Sequence, residues 1–278
     1  MSVSIVSAPA QPGVVHFFKA LADETRLQIM RMLLLSDLRA GEIVESLGIP
    51  ANAASYHLKQ LRFAGLLRDH RSSGDARDIY YSVDLDRLYA LYDQAGDALR
   101  PGERSDGASE QEGMYLDRAL RVLFLCTHNS ARSQLAEGIL RQMGGESVEV
   151  FSAGSDPREV HPDTLELLAE WDIDTSRHTA KPIDQFLGQN FDYLITVCDR
   201  VREECPTFPG DPMQMHWSLP DPLAVDDPYE RRQVFLRVRQ ELRTRIQFLL
   251  LVPDPTTQRR LRRPGTRPDA SQQEPPND

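Results

Sequence analysis

The sequence predicts two domains, the first mostly helical with a β-hairpin and the second an α/β domain with a parallel sheet. Helical periodicity followed by a hairpin pattern fills residues 14–97. Short apolar strands alternate with helical segments over residues 119–252. Residues 98–118 between them are rich in Gly, Ser and Glu and are predicted to be a linker. Residues 253–278 are rich in Pro and Arg, which predicts a disordered tail.

The composition indicates a globular protein of the cytoplasm. The 278 residues suffice for two cores, and no apolar run approaches the length of a membrane span. The net charge of −10 argues against non-specific nucleic-acid binding by the whole molecule, but it is compatible with a local basic face. The N-terminus lacks the basic and apolar regions of a signal peptide. Three cysteines, an odd number, predict reactive thiols rather than structural disulfides.

The first domain has the pattern of a helix-turn-helix followed by a wing. A short helical segment, GEIVESLGI, precedes Pro50, which is well suited to begin a helix, and the second helical segment ends near Gly65. Residues 66–70 and 77–83 are β-rich and flank Ser-Ser-Gly-Asp, which predicts a hairpin. A hairpin directly after a recognition helix is a wing. The alternative is a helical dimerisation module whose polar residues form a solvated face.

Candidate DNA contacts lie on the second helix and on the wing. Polar helix residues would face the bases and wing arginines would suit phosphates; the candidates are Asn52, Ser55, Tyr56, His57, Lys59, Arg71 and Arg77. The stretches FKALADETRLQIMRMLL and SYHLKQLRFAGLL, with the wing, resemble the ArsR family of dimeric winged-helix repressors over about residues 14–95. The resemblance implies operator DNA as a partner and a homodimer formed through this domain. Many members hold a metalloid on cysteines near the helix-turn-helix, whereas here no cysteine precedes Cys126.

The second domain begins with a strand, a loop of small residues and a helix. Residues 122–125 form an apolar run typical of a buried strand, and helical periodicity begins at residue 134. Cys126 and Arg132 lie between them with the spacing C-x5-R. Loop N–H groups, the helix dipole and the guanidinium would bind an oxyanion, and we expect them to lower the pKa of the thiol. Ser133 would donate a hydrogen bond to the thiolate. The alternative is that Cys126 is a buried structural cysteine.

The sequence CTHNSARSQLAEG resembles the phosphate-binding loop of the low-molecular-weight protein tyrosine phosphatase superfamily, which includes the thioredoxin-coupled arsenate reductases. The resemblance implies a phosphatase-like α/β domain in which Cys126 is the nucleophile and arsenate or phosphate is the bound oxyanion. The residues that would line the oxyanion site are Thr127, His128, Asn129, Ser130, Ala131, Arg132 and Ser133.

Two further cysteines favour the reductase branch. Cys198 and Cys205 follow an apolar strand in the sequence CDRVREEC. A phosphatase needs only the loop thiol, because water completes its turnover, whereas two more thiols supply the two electrons that reduce an oxyanion. If the intervening residues are helical, the two cysteines lie about 10 Å apart along the axis, beyond the roughly 7 Å that a disulfide allows. Oxidation should therefore unwind this segment; the alternative is two incidental buried cysteines.

The segment HWSLPDPLAVDDPYERR contains the candidate general acids. A carboxyl group beside proline on a rigid loop is well placed to protonate a leaving oxygen. Asp221 and Asp227 each precede a proline, and Asp226 lies beside them. In the reductases that this sequence resembles, the general acid is the aspartate of an Asp-Pro pair a few residues after a His-Trp pair. Asp221 matches this position, and Asp227 is the alternative. For both residues, a turn or a helix cap is the alternative role.

The resemblance also bears on cofactors. It implies no tightly bound cofactor and thioredoxin as the reductant. We expect no metal in the first domain, because it contains no cysteine and its histidines, His16, His57 and His70, are scattered along the sequence. Asn129, Glu137 and Ser152 match the potassium site of some reductases, but the remaining acidic ligand of that pattern falls near Lys181, which would oppose a cation.

The resemblances together imply a fusion of an ArsR-type regulator with an arsenate reductase. A relay of Cys126, Cys198 and Cys205 would reduce arsenate, and thioredoxin would then reduce a Cys198–Cys205 disulfide. The alternatives are a tyrosine phosphatase in which Cys126 and Arg132 suffice, and a pure regulator whose second domain senses an oxyanion.

Overall fold

The computed structural model describes residues 12–75, 77–99 and 118–251. Most of the predicted linker and all of the predicted tail lie outside the described residues. Among the residues described, no helix is long and apolar enough to cross a membrane.

The first domain packs helices against a small antiparallel sheet. Its core contains apolar residues of all five helices and of the sheet, among them Ile29, Leu33, Ile43, Leu58 and Leu61. The helices are α1 (Pro12–Leu21), α2 (Glu24–Leu35), α3 (Ala40–Leu47), α4 (Ala51–Phe63) and α5 (Leu85–Leu99). The strands are β1 (Leu38–Arg39), β2 (Leu67–Arg71) and β3 (Ile79–Val83), and their order in the sheet is β1-β3-β2.

The predicted helix-turn-helix and wing are confirmed. Helices α3 and α4 are joined through Gly48, whose φ of 63° is in the left-handed region, and β2 pairs with β3 to form the wing. Helices α1 and α2 are separate elements, because the carboxylate of Asp23 accepts the N–H of Arg26 at 2.9 Å and caps α2. Strand β1 was not predicted, since two residues carry no periodic signal.

The second domain is the predicted α/β domain with a parallel sheet. The strands are β4 (Leu120–Cys126), β5 (Val148–Gly154), β6 (Tyr193–Thr196) and β7 (Met213–His216), in the order β5-β4-β6-β7. The helices are α6 (Arg132–Gly144), α7 (Pro162–Glu170), α8 (Asp199–Glu204) and α9 (Pro228–Leu251). Because β4 and β6 are parallel neighbours, their carboxyl ends meet, and Cys126 lies close in space to the segment that begins at Cys198.

The two domains pack against each other through α2, the wing, α8 and α9. Arg245 of α9 forms an ion pair with Asp37, which follows α2, and both side chains are buried. The indole Nε1 of Trp217 donates to the carbonyl of Leu35 at 3.0 Å, and the ring of Tyr89 stacks on Phe248. The first domain therefore contacts the second domain close to the carboxyl ends of the parallel strands.

Candidate active site

The sulfur of Cys126 lies at the centre of the loop that joins β4 to α6. It accepts the N–H of Asn129 at 3.1 Å and lies 2.8 Å from the hydroxyl oxygen of Ser133. Asn129 has a φ of 48°, a left-handed conformation that asparagine tolerates and that turns its N–H inward. Gly154 at the end of β5 allows the loop to approach, because a Cβ there would lie 2.7 Å from the carbonyl oxygen of Thr127.

A buried hydrogen-bond network holds the loop from behind. The amide Nδ2 of Asn129 donates to the hydroxyl oxygens of Ser133 and Ser152 at 2.9 and 2.8 Å. Because the Ser133 oxygen accepts this bond, its own proton is available for the sulfur of Cys126. Gln134 donates to the side-chain oxygen of Asn129 at 3.0 Å and accepts from Nδ1 of His178 at 2.7 Å. Sequence reasoning missed both Gln134 and His178, which no local motif marks.

The remaining loop residues either line the mouth of the site or support it. Thr127 and His128 are partly exposed in a cavity of about 900 Å³. Ser130 and Ala131 are buried, and the carbonyl of Ser130 accepts the hydroxyl of Thr164 at 3.0 Å. Ser130 and Ala131 therefore support the loop through their backbone.

The structure contradicts the predicted low pKa of Cys126. Burial raises the pKa of this thiol and the neighbouring Cys198 acts in the same direction, whereas Arg132 and the hydrogen bond from Ser133 lower it. The prediction counted the helix dipole and the cation but omitted the desolvation of a residue that is only 3% exposed. In this structure the guanidinium is engaged by Asp221, so its effect on the sulfur is incomplete.

Arg132 is held by the loop that carries the candidate general acids. Its Nη2 lies 2.7 Å from Oδ2 of Asp221, and its Nη1 donates to the carbonyl of Leu219 at 3.1 Å. Asp227 and Asp226 are exposed, and Asp227 accepts the N–H of Glu230 at 2.8 Å as a cap of α9. Of the three carboxylates, Asp221 is therefore the one beside the oxyanion loop.

The other two thiols flank α8. Cys198 is buried at the N-terminal end of this helix, with its sulfur 3.4 Å from the hydroxyl of Thr127. Cys205 follows the other end, and burial raises the pKa of its thiol to about 11. Both cysteines are free, as is Cys126. The helix separates Cys198 and Cys205 as the sequence analysis expected, so a disulfide between them requires α8 to unwind.

The residues that match a potassium site do not fit a potassium ion. The carboxylate of Glu137 is buried and bonded to Ser152 and Arg141. The ammonium of Lys181 lies 3.3 Å from the same carboxylate and donates to the carbonyl of Thr179 at 2.9 Å. Two cations of the chain thus already neutralise Glu137. Across residues 12–75, 77–99 and 118–251, no group of three or more His, Cys, Asp or Glu could hold a metal ion.

The predicted DNA contacts lie in four different surroundings. His57 is partly buried, with Nδ1 3.5 Å from the carboxylate of Asp23, and Arg77 forms an ion pair with Asp75 at 2.7 Å. Arg71 lines the same cavity as the oxyanion loop. The remaining four are exposed on α4: Asn52, Ser55, Tyr56 and Lys59.

Two family models match the chain. The model described as "Low molecular weight phosphotyrosine protein phosphatase" matches residues 121–263, just over half of the chain. The model described as "Bacterial regulatory protein, arsR family" matches residues 23–69. The first match includes the oxyanion loop and the parallel sheet, and the second includes the helix-turn-helix.

Several known proteins are similar to the chain over part of its length. The arsenate reductase of Halalkalibacterium halodurans is 38% identical over 126 residues, which are 45% of this chain and 91% of that protein. An arsenate reductase of Staphylococcus aureus is 36% identical over 126 residues, or 45% of this chain and 92% of that protein. The solved structure of a thioredoxin-dependent arsenate reductase from Corynebacterium glutamicum is 26% identical and covers 75% of this chain and 94% of that chain, with a TM-score of 0.36.

Proposed function

The chain belongs to the low molecular weight phosphotyrosine protein phosphatase family and carries an arsR-family helix-turn-helix, and on that premise we propose that it reduces arsenate to arsenite and regulates transcription. Relatives with 36–38% identity to the second domain are arsenate reductases. The proposal is supported chiefly by the position of the thiols, because Cys198 lies next to the oxyanion loop and Cys205 at the far end of α8. Hydrolysis of a phosphoester would use neither of these two thiols.

In the first step, the thiolate of Cys126 attacks arsenate held by the loop N–H groups and Arg132. The oxyanion competes with Asp221 for the guanidinium of Arg132, since both present oxygens to the same planar donor group. Once displaced from Arg132, the carboxylate of Asp221 takes up a proton and then donates it to the departing oxygen as a general acid. The step forms a sulfur–arsenic bond and releases water.

In the second step, two electrons pass from the thiols to arsenic. Cys198 attacks the sulfur of Cys126, the electron pair of the sulfur–arsenic bond leaves with arsenic, and arsenite departs. Cys205 then attacks Cys198, which releases the thiolate of Cys126 and leaves a Cys198–Cys205 disulfide. Thioredoxin supplies the dithiol that reduces this disulfide. Because burial keeps the pKa of Cys205 high, its attack is coupled to the exposure that unwinding of α8 provides.

The regulatory part of the proposal concerns α4 and the wing. Operator DNA would bind the exposed polar face of α4 in a homodimer formed through the first domain, as arsR-family regulators do. Because operator DNA and thioredoxin would be its partners, we place the protein in the cytoplasm.

A phosphatase is the second candidate, because the set of Cys126, Arg132 and Asp221 is complete for hydrolysis of a phosphoester. Two assays on the full chain separate the candidates. We expect arsenate-dependent oxidation of NADPH in the presence of thioredoxin and thioredoxin reductase, with only slow hydrolysis of p-nitrophenyl phosphate. Fast hydrolysis without arsenate-dependent NADPH oxidation would establish the phosphatase instead, and neither activity would leave an oxyanion sensor. A gel shift with the upstream DNA of its own gene tests the regulatory part.

A further inference from the structure

The N-terminal end of α8 holds the tip of the DNA-binding wing. The backbone N–H and the hydroxyl of Ser73 both donate to Oδ2 of Asp199, at 2.7 and 2.9 Å. The other oxygen of Asp199 bonds to Nε2 of His216 at 3.0 Å and to the hydroxyl of Ser218. Asp199 directly follows Cys198 in the chain. One carboxylate therefore joins the redox segment to the wing.

The rest of α8 is also bound to the first domain. Arg202 donates to the carbonyl of Asp37 at 2.9 Å and pairs with Glu42 of α3. Glu203 accepts the hydroxyl of Ser72 at 3.4 Å. Three side chains of this six-residue helix thus contact the helix-turn-helix domain.

The groups that Asp199 engages are those a wing offers to DNA. Backbone N–H groups and serine hydroxyls are common donors to phosphate oxygens, and here both donors of Ser73 are used by an anion of the chain itself. Burial acts to raise the pKa of Asp199, but the hydrogen bonds from His216, Ser218 and Ser73 outweigh it and hold the pKa well below its usual range. The side chain is therefore a carboxylate at neutral pH and accepts both of the donors that Ser73 could offer to a phosphate.

Formation of the Cys198–Cys205 disulfide is incompatible with these contacts. The two cysteines bracket α8, and the helical rise puts them about 10 Å apart, beyond the roughly 7 Å between Cα atoms that a disulfide allows. Oxidation must therefore unwind the helix that presents Asp199, Arg202 and Glu203 to the first domain. The wing tip then loses its internal anion.

We propose that reduced α8 and operator DNA compete for the wing tip, so that oxidation of Cys198 and Cys205 frees the wing and strengthens DNA binding. The inference rests on the proposed thiol relay, with arsenate as the oxidant that removes two electrons from the thiol pair. It couples DNA binding to arsenate turnover although the first domain contains no cysteine. By linkage, DNA binding must in turn favour oxidation of the relay.

The coupling is tested on the full chain with a fluorescent duplex enriched by in vitro selection on the same protein. Fluorescence anisotropy gives the Kd of fully reduced protein and of protein treated with arsenate in the absence of thioredoxin. A thiol titration should fall from three to one, and the Kd should fall on the order of tenfold, a usual size for coupling between sites. Cys205→Ser is the matched control, because its relay stops at Cys126–Cys198 and should give no arsenate-dependent gain.

A second arm removes the contact without oxidation. Asp199→Asn deletes the charge, so the reduced variant should bind the duplex about as tightly as oxidised wild type. Hydrogen exchange of the peptide that contains Ser73 should be faster in this variant. Glu166→Gln removes an exposed carboxylate on α7 and controls for net charge.

The two proposals fail in different ways. If three free thiols remain after treatment with arsenate, the relay is wrong. The Cys198–Cys205 disulfide is then formed with diamide, a two-electron thiol oxidant, and verified by peptide mapping. If protein with that disulfide binds the duplex no more tightly than reduced protein, the coupling is refuted. If Asp199→Asn loses its helical circular dichroism, the experiment with diamide alone tests the coupling. If the variant folds and its Kd equals that of reduced wild-type protein, the coupling is also refuted.

Discussion

The buried ion pair between the two domains should control the stability of the whole chain. Asp37 is fully buried and Arg245 is 4% exposed. Nη2 of Arg245 donates to both oxygens of Asp37 at 2.9 and 3.1 Å, and the N–H of Ser218 donates to Oδ2 of Asp37 at 2.7 Å. Burial acts to lower the pKa of Arg245, but Asp37 and Glu241 outweigh it and raise the pKa, so the guanidinium stays charged. Asp37→Asn would keep the shape and leave this charge poorly compensated.

The expected loss is about 3 kcal/mol in the free energy of unfolding. Removing one partner of a buried ion pair costs about 3–5 kcal/mol. The lower end applies because the carboxylate of Glu241 remains 2.9 Å from Arg245. With an m-value of about 3 kcal/mol per molar urea, the midpoint should fall by roughly 1 M.

Urea unfolding followed by tryptophan fluorescence measures this loss. The ring of Trp217 is buried and lies 5.9 Å from the guanidinium of Arg245, so its emission reports on the interface. Asp226→Asn, at an exposed carboxylate, is the control and should stay within about 0.5 kcal/mol of wild type. The double variant Asp37→Leu/Arg245→Met should recover most of the loss, because neither charge remains buried alone. A midpoint for Asp37→Asn equal to that of Asp226→Asn would refute this reasoning.

Four further predictions concern the chemistry. Cys126→Ser should abolish arsenate reduction and phosphoester hydrolysis while the reduced protein still binds DNA; residual turnover above background would exclude Cys126 as nucleophile. Cys205→Ser should retain hydrolysis but lose repeated arsenate turnover with thioredoxin, and normal cycling would contradict the three-thiol relay. Asp221→Asn should lower kcat by about two orders of magnitude with little change in oxyanion binding, whereas Asp227→Asn should not; the reverse result would identify Asp227 as the acid. Burial raises the pKa of Cys205 to about 11, and only the thiolate attacks, so the single-turnover rate of Cys198–Cys205 formation should rise between pH 7 and 9 in stopped-flow measurements; a flat profile would contradict this assignment.

Local signals in the sequence were sufficient for most of the secondary structure and for the nucleophile loop. The apolar run at residues 122–125 and the helical periodicity after it predicted β4 and α6, because strand and helix periodicities are properties of neighbouring residues. Gly65 marked the end of α4 through its left-handed φ of 71°. The spacing of Cys126 and Arg132 needed only this strand, loop and helix to acquire a chemical meaning.

Charge and burial at the site could not be predicted from the same signals. The predicted low pKa of Cys126 was wrong, because desolvation depends on every element packed around the sulfur. The choice between Asp221 and Asp227 stayed open in the sequence, where both precede a proline. In the fold, Asp221 pairs with Arg132, 89 positions away in the chain, whereas Asp227 caps α9.

The relation between the two domains was decided by tertiary structure alone. The sequence predicted Arg71 as a DNA contact and the segment between Cys198 and Cys205 as part of a thiol relay, but it gave no reason to connect them. In the structure the wing lines the same cavity as the oxyanion loop, and Ser73 bonds to Asp199 across 126 positions of sequence. Periodicity and spacing report only on neighbours in the chain, whereas such a contact exists only after two separately folded surfaces have met.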